Sequence, residues 1–480
     1  MNGVREHRAH LGAISILIAL RFVAGAVLAL SADEAYYWLW SKHLAAGYYD
    51  HPPMVAFLIR GGVTIFGDTS FGVRFLPLLL SIAASWFVCR AGTLILNDQR
   101  AGVLSCLLFN LTLMVAAETM AATPDAPLIA CSAAFLFALA KVDNSQDGRW
   151  WLAVGIAGGL ALLSKYTAFF LGAGALAWIV FVPNARRWLL SPWPCLGVVI
   201  ALAIFAPNLW WNATHHWMTF AFQFGRIGSG HFTLRFLAEF LGAQLLLATP
   251  FILVCSVFGL SRMIDKSLLV LTTVLPAAAY FAVHSLHDRV QGNWPCFLYP
   301  ALAIAAAGTM LRTDWSGWRA PVLIWSRRLA VPVAGLLLAL CYLQAFFDVL
   351  PIGRKDPFAR LLGVGISDAA RRIEVARPAA VLTTDYETAS WFAFYGHLPV
   401  VQLNEESRWL TAPQPSVAQL GANLIYIVPR SRDRYAFVAT HFENVVPLSP
   451  IDRTARGQAI ERYDVYRVAG LRGGPLGRTP

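Results

Sequence analysis

The segment SADEAYYWLWSKHLAAGYYDHPP, residues 31–53, lies between two apolar stretches and resembles neither. Before it, residues 11–30 form a run long enough to cross a bilayer, for which ~20 largely apolar residues suffice. After it, residues 52–66 are apolar but too short and too Gly-rich to span, and read as a re-entrant or interfacial helix. Asp33 and Glu34 stand immediately beyond the first run, followed by Tyr36, Tyr37, Trp38, Trp40, Tyr48 and Tyr49. On a helix Asp33 shares a face with Tyr37, and Glu34 with Trp38. An amphipathic helix at the interface would hold this acidic pair at headgroup depth, although the aromatics alone also fit an ordinary interfacial belt. His51-Pro52-Pro53 closes the segment. Two prolines fix the local φ angles and end any helix, so His51 is either held by a rigid turn or belongs to a plain helix stop.

Outward from this loop the chain reads as a polytopic membrane protein. Of its 480 residues 57% are hydrophobic and 14% charged, against about 25% charged in a soluble domain. The bilayer is the solvent that accepts so much apolar surface, and 17 Trp suit its boundary. Eleven apolar stretches qualify as spans: 11–30, 71–96, 101–118, 124–141, 150–164, 166–182, 194–212, 235–261, 267–284, 296–311 and 329–350. The basic N-terminus followed by an apolar run has no evident cleavage site, and is expected to be a retained first helix. The net charge of +11 would suggest nucleic acid in a soluble protein. Here basic loops that fix topology and touch anionic lipid account for it, and no nucleic acid partner is expected. All seven Cys lie in or beside apolar stretches, which argues against a disulfide framework.

With the N-terminus inside, Lys and Arg favour the inner loops over the outer ones by roughly two to one. An odd number of spans then places the tail outside. Residues 1–350 form the membrane domain in this reading, and 351–480 a small outer α/β domain. The tail holds strand-like VLTTD (381–385), LIYIV (424–428) and YDVYRV (463–468), with a helix-like stretch 386–396 between the first two. Asp385, Tyr386 and Tyr395, at its strand-to-helix junction, fit either a folding role or a place on the acceptor side.

The outer loops carry the remaining chemistry. Glu118 and Asp125 lie in AAETMAATPDAPL, where Asp125 also suits a helix N-terminus. Arg74 and Lys165 open spans on the outer side, and cations buried there need an acidic partner or an anionic ligand. The aromatic loop 210–232 ends near Arg226, and HSLHDRVQGNWP (284–295) gathers His284, His287, Asp288 and Arg289. The spacing of His284, His287 and Asp288 would let them share a helix face and bind a divalent metal. Structural or phosphate-facing roles compete with that reading, and no metal ligands are assigned.

These residues resemble the GT-C membrane glycosyltransferases, in the bacterial branch that includes protein O-mannosyltransferases and the lipid A aminoarabinose transferase. The resemblance rests on DEAYYWLWSKHLAAGYYDHPP (33–53), GVRFLP (72–77), TPDAPL (123–128), LLSKYT (162–167) and the eleven-span plan with an outer C-terminal domain. It covers roughly the first 300 residues, with only a likeness in kind over the tail. The HPP here lacks a residue that the aminoarabinose branch inserts. The resemblance implies a GT-C fold in the inner membrane, a polyprenyl-phosphate sugar donor and inverting transfer. It implies a lipid A, other glycan or protein acceptor, among membrane lipids, and no certain cofactor. It places Asp33 at the catalytic acid, with Glu34 beside it, Asp125 at the second-loop acid and Lys165 at the donor phosphate. Arg74 and Arg289 are further phosphate candidates, and His51, Tyr37, Arg226 and His287 substrate contacts. In that chemistry Asp33 takes a proton from the attacking hydroxyl, and the cations neutralise the leaving phosphate. The competing class is a transporter or flippase for a lipid-linked sugar. Transporters gather ionisable groups near the midplane, whereas only Arg21 is mid-span here.

Overall fold

A computed structural model describes residues 2–225, 231–262, 268–312, 316–317, 319–403, 406–412, 421 and 423–472. Among these, five helices are long and apolar enough to cross a membrane: Arg5–Val27, Ser70–Leu96, Asp125–Ser145, Pro192–Thr214 and Arg319–Phe347. The pairs Tyr166–Phe181 with Pro183–Leu190 and Arg235–Leu247 with Pro250–Ser261 are bent by 106° and 104°, which raises the number to as many as seven. Met54–Phe66, Trp150–Ser164, Leu268–His284 and Cys296–Met310 are shorter apolar helices.

Among the described residues each of the eleven apolar stretches overlaps helix, but two are interrupted. The stretch 101–118 breaks at Thr112, whose extended backbone (φ −73°, ψ 139°) ends Gln99–Leu111. Its hydroxyl accepts from the Val115 amide at 3.3 Å and caps Leu113–Glu118, the role short polar side chains prefer to a helix interior. The stretch 235–261 breaks at Thr249, which sits at φ 64° before Pro250. A residue preceding proline is kept out of the helical region.

The chain divides into two compact units, one of residues 1–25, 50–55 and 74–342, the other of 26–49, 56–73 and 343–480. In the first, helices pack where small residues let backbones meet. A Cβ on Gly155 would strike the Gly197 carbonyl at 2.2 Å, and one on Gly259 the Ala305 carbonyl at 2.2 Å. Such close approach replaces the hydrophobic drive that lipid removes.

The second unit is built on a six-stranded mixed sheet: β1 (Ala380–Thr383), β2 (Val400–Gln402), β3 (Leu424–Pro429), β4 (Phe442–Pro447), β5 (Ile451–Ala455) and β6 (Gln458–Leu471). The order is β2-β1-β3-β6-β4, with β5 also on β6. β1 runs parallel to β2 and β3, while β6 pairs antiparallel with its three neighbours. Every residue of β1 and β3 is buried, as expected of strands covered on both faces. One face carries the helices Ile366–Glu374 and Tyr386–Tyr395 through Ile366, Ile373, Trp391 and Phe392. The expected strands and the helix after β1 are all present. β2, β4 and β5 have no counterpart in the sequence reading, because β2 is three residues long and β4 is largely exposed.

Candidate functional site

The first unit contains a buried polar cluster around Asp125. Pro124 precedes Asp125, which opens the helix Asp125–Ser145 and is 2% exposed. Lys165 ends the helix Trp150–Ser164 in extended conformation, its amide bonded to the Ala161 carbonyl at 2.9 Å. From there the ammonium donates to both Asp125 oxygens at 2.7 and 3.0 Å. Asn293 Nδ2 donates to the same carboxylate at 2.7 Å and Cys296 Sγ at 3.1 Å. Burying an ion pair costs several kcal/mol per ion unless geometry and further hydrogen bonds repay it, and Asn293 and Cys296 supply those bonds. Sequence reasoning placed Asp125 and Lys165 but missed Asn293 and Cys296. The available signal was a polar NWPC (293–296) directly ahead of an apolar run.

In the second unit the loop after the first span forms the helix Ala32–Lys42. Ser31 and Glu34 make a capping box: the Glu34 amide donates to Ser31 Oγ at 3.2 Å, and the Ser31 amide to Glu34 Oε2 at 2.9 Å. Glu34 is 1% exposed, so this carboxylate serves its own helix start. Asp33 lies one residue earlier and is exposed. Tyr386 donates its hydroxyl to Asp33 Oδ1 at 3.0 Å. Burial, and then the negative charge of Asp33, push the Tyr386 phenol well above its ordinary value, which keeps it a donor.

The helix Tyr386–Tyr395 is itself fixed on that chain entry. Its Asp385 cap accepts from the Thr388 amide at 2.9 Å. At its far end Tyr395 accepts from the Leu30 amide at 2.7 Å, while Trp391 donates to the Leu30 carbonyl at 3.2 Å. The aromatics of the loop do not form an exposed belt. Tyr36, Tyr37, Trp38 and Trp40 are 1%, 7%, 9% and 2% exposed, and Trp40 stacks on Tyr48 with centroids 4.1 Å apart. Trp38 and Lys42 both donate to Asp68, at 2.7 and 2.6 Å, which fixes the other end of the helix.

The remaining candidates fall elsewhere. Arg74 is fully buried and donates to the Gly25 carbonyl at 3.3 Å. Arg289 is exposed and paired at 2.9 Å with Glu239, which also holds Arg235. His51 is half-buried beside Asp50, whose carbonyl accepts from Gln223. His287 Nδ1 lies 3.3 Å from the Val283 carbonyl, and His284 stacks on Tyr280. Among the described residues no group of three or more His, Cys, Asp or Glu is placed to hold a metal. Arg226 lies outside the described residues.

Residues 50–211 match the family described as dolichyl-phosphate-mannose-protein mannosyltransferase. The chain is 27% identical over 395 residues to the lipid A galacturonosyltransferase RgtD of Rhizobium johnstonii, with 78% of each chain covered. It is 28% identical over 191 residues to the undecaprenyl phosphate-alpha-4-amino-4-deoxy-L-arabinose arabinosyl transferase 2 of Pseudomonas fluorescens, covering 37% of this chain and 33% of that one. Among solved structures, ArnT from Cupriavidus metallidurans bound to undecaprenyl phosphate superposes with a TM-score of 0.68 at 16% identity, over 97% of this chain and 99% of that one.

Proposed function

From the premise that this chain has the fold of the GT-C membrane glycosyltransferases, we propose that it moves a sugar from a polyprenyl-phosphate donor to lipid A or a similar envelope glycan. The reaction takes place at the outer face of the inner membrane, with the N-terminus cytoplasmic and residues 351–480 periplasmic. The roughly two-to-one bias of basic residues supports that orientation.

The observation that carries the reading is the setting of Asp33. It is an exposed carboxylate held by Tyr386 on the first turn of a buried helix, while its neighbour Glu34 is consumed by the cap. A general base must be accessible and fixed, and of these two acids only Asp33 is exposed. Asp33 takes the proton of the acceptor hydroxyl as that oxygen bonds to the anomeric carbon. The carbon–oxygen bond to phosphate breaks, and the electron pair leaves with the polyprenyl phosphate. Attack opposite the leaving group inverts the configuration. The sequence resemblance assigns the developing phosphate charge to Lys165, which Asp125 holds within the first unit. Glu34 is a positioning residue, since it acts through the helix that carries Asp33.

Asp33→Asn in vesicles supplied with a polyprenyl-phosphate sugar and lipid A should lower transfer by about 10²–10⁴-fold, with the unfolding midpoint unchanged. Retention of full activity would remove Asp33 from the mechanism.

A further inference from the structure

A cavity of about 400 Å³ opens in the second unit where two membrane-length helices end. Val27 closes the first of these helices, Gln344 and Phe346 lie in the last turn of Arg319–Phe347, and all three line the cavity. Further walls come from residues 353–367 and 455–460. They are fixed from behind. The buried Arg453 donates Nη2 to the carbonyls of Ala359 and Arg360 at 2.8 and 3.2 Å, and the Gly363 amide donates to the Leu30 carbonyl at 2.8 Å. The lining is mostly apolar but holds Asp348, Asp356 and Arg456. Arg456 donates to the Phe346 carbonyl and stands 3.9 Å from Asp348. Asp356 is 6% exposed. Its Oδ1 accepts from the Phe358 amide at 3.0 Å and caps the helix Pro357–Leu361, and no cation pairs with it among the described residues. A carboxylate so deeply placed is costly without a cation.

We propose that this cavity binds the headgroup of an ethanolamine phospholipid, with its ammonium on Asp356 and its phosphate on Arg456. The position selects a lipid. Val27 lines the cavity and is 67% exposed, and Phe347 and Leu361, each next in sequence to a lining residue, are 67% and 66% exposed. They form an apolar rim of the kind that acyl chains cover. The charges select the headgroup. Asp348 and Arg456 answer each other, which leaves one negative charge in the lining for one ammonium. A primary ammonium brings three N–H donors to a carboxylate, and the planar guanidinium matches phosphate oxygens. A choline headgroup has no N–H to give, and a glycerol headgroup has no cation. The cavity also has the size and the mostly apolar lining of a small-ligand site. Neither Asp356 nor Arg456 enters the chemistry assigned to Asp33 and Lys165, so the lipid site stands apart from the transfer reaction.

The test reconstitutes the full chain in vesicles of equal parts phosphatidylethanolamine, phosphatidylcholine and phosphatidylglycerol, extracts it in mild detergent, and counts the retained lipid by native mass spectrometry. Wild type should retain phosphatidylethanolamine over the other two by about 10-fold, the value of a hydrogen bond to a charged group. Asp356→Asn, which keeps the cap and loses the charge, should bring it down to the level of phosphatidylcholine. Arg456→Gln should lower the retention of both lipids alike, because both carry the phosphate, and leave their ratio near that of wild type. Equal retention of the three lipids by wild type would overturn the proposal, and that comparison needs neither variant. An undiminished preference in Asp356→Asn, or a preference of wild type for phosphatidylglycerol, would overturn it as well. Displacement of the retained lipid by an equal concentration of free phosphoethanolamine would refute the lipid as the occupant.

Discussion

Asp125 and Asp33 are both acids beside apolar stretches, yet they live under opposite conditions. Asp125 is 2% exposed and takes bonds from Lys165, Asn293 and Cys296. Asp33 is exposed and is bonded by Tyr386. A buried charge must be answered by partners as the chain folds, so the Asp125 cluster is tied to the stability of the fold. An exposed charge costs the fold little, so a change at Asp33 should leave stability nearly unaltered. The same residue type therefore yields different signatures when altered: a loss of stability in one unit, a loss of rate in the other.

The contrast is most easily broken at Lys165. Lys165→Met leaves the Asp125 carboxylate buried without its cation, and removal of one partner from a buried pair costs about 3–5 kcal/mol. The expected outcome is a large fall in the unfolding midpoint of the detergent-solubilised protein. The double variant Asp125→Asn, Lys165→Met should recover much of the loss, since the two changes act on one pair. An unchanged midpoint in the single variant would mean that the cluster is not structural, and the contrast with Asp33 would collapse.

Tyr386→Phe sharpens the other side. It keeps the ring beneath Arg408 and removes only the hydroxyl that holds Asp33. Transfer should fall by about 10-fold, as for one hydrogen bond to a charged group, and the midpoint should hold. The pH dependence should also change, because the carboxylate loses a donor that favours its ionised form. A fall in midpoint without a change in the pH profile would make Tyr386 a packing residue.

The apolar helices and the strands β1, β3 and β6 were legible in the sequence, because each depends on local pattern. Apolar runs mark helices in lipid, and acidic residues beside a span demand a reason. What could not be read is pairing at a distance. Tyr386 lies 353 residues from Asp33, and Asn293 168 residues from Asp125. No local period encodes either contact. The capping role of Glu34 was legible in principle, since Ser31-x-x-Glu34 is a capping-box pattern. The breaks at Thr112 and Thr249 are hidden by hydropathy, which averages over the single residue whose backbone ends the helix.

The smallest effect is expected at Asp385, a third acid, intermediate between the other two. Its side chain is 13% exposed, and it caps the helix that presents Tyr386. Burial pushes its carboxyl above the usual range, against the Thr388 hydrogen bond and the Arg432 charge. A raised carboxyl contributes stability that is present below the unfolded value and lost as pH rises through the folded one. Asp385→Asn removes this titration and keeps the cap, because Asn caps a helix about as well as Asp. Hydrogen exchange of the Tyr386–Tyr395 amides is the measurement. Wild-type protection should decline as pH rises through that raised range, after correction for intrinsic exchange, while the variant should stay level, a difference of about twofold. A variant less protected than wild type at neutral pH would show that the Arg432 ion pair at 3.5 Å outweighs the burial of the charge. Asp385 would then belong with Asp125, as an acid whose partners more than answer for its burial.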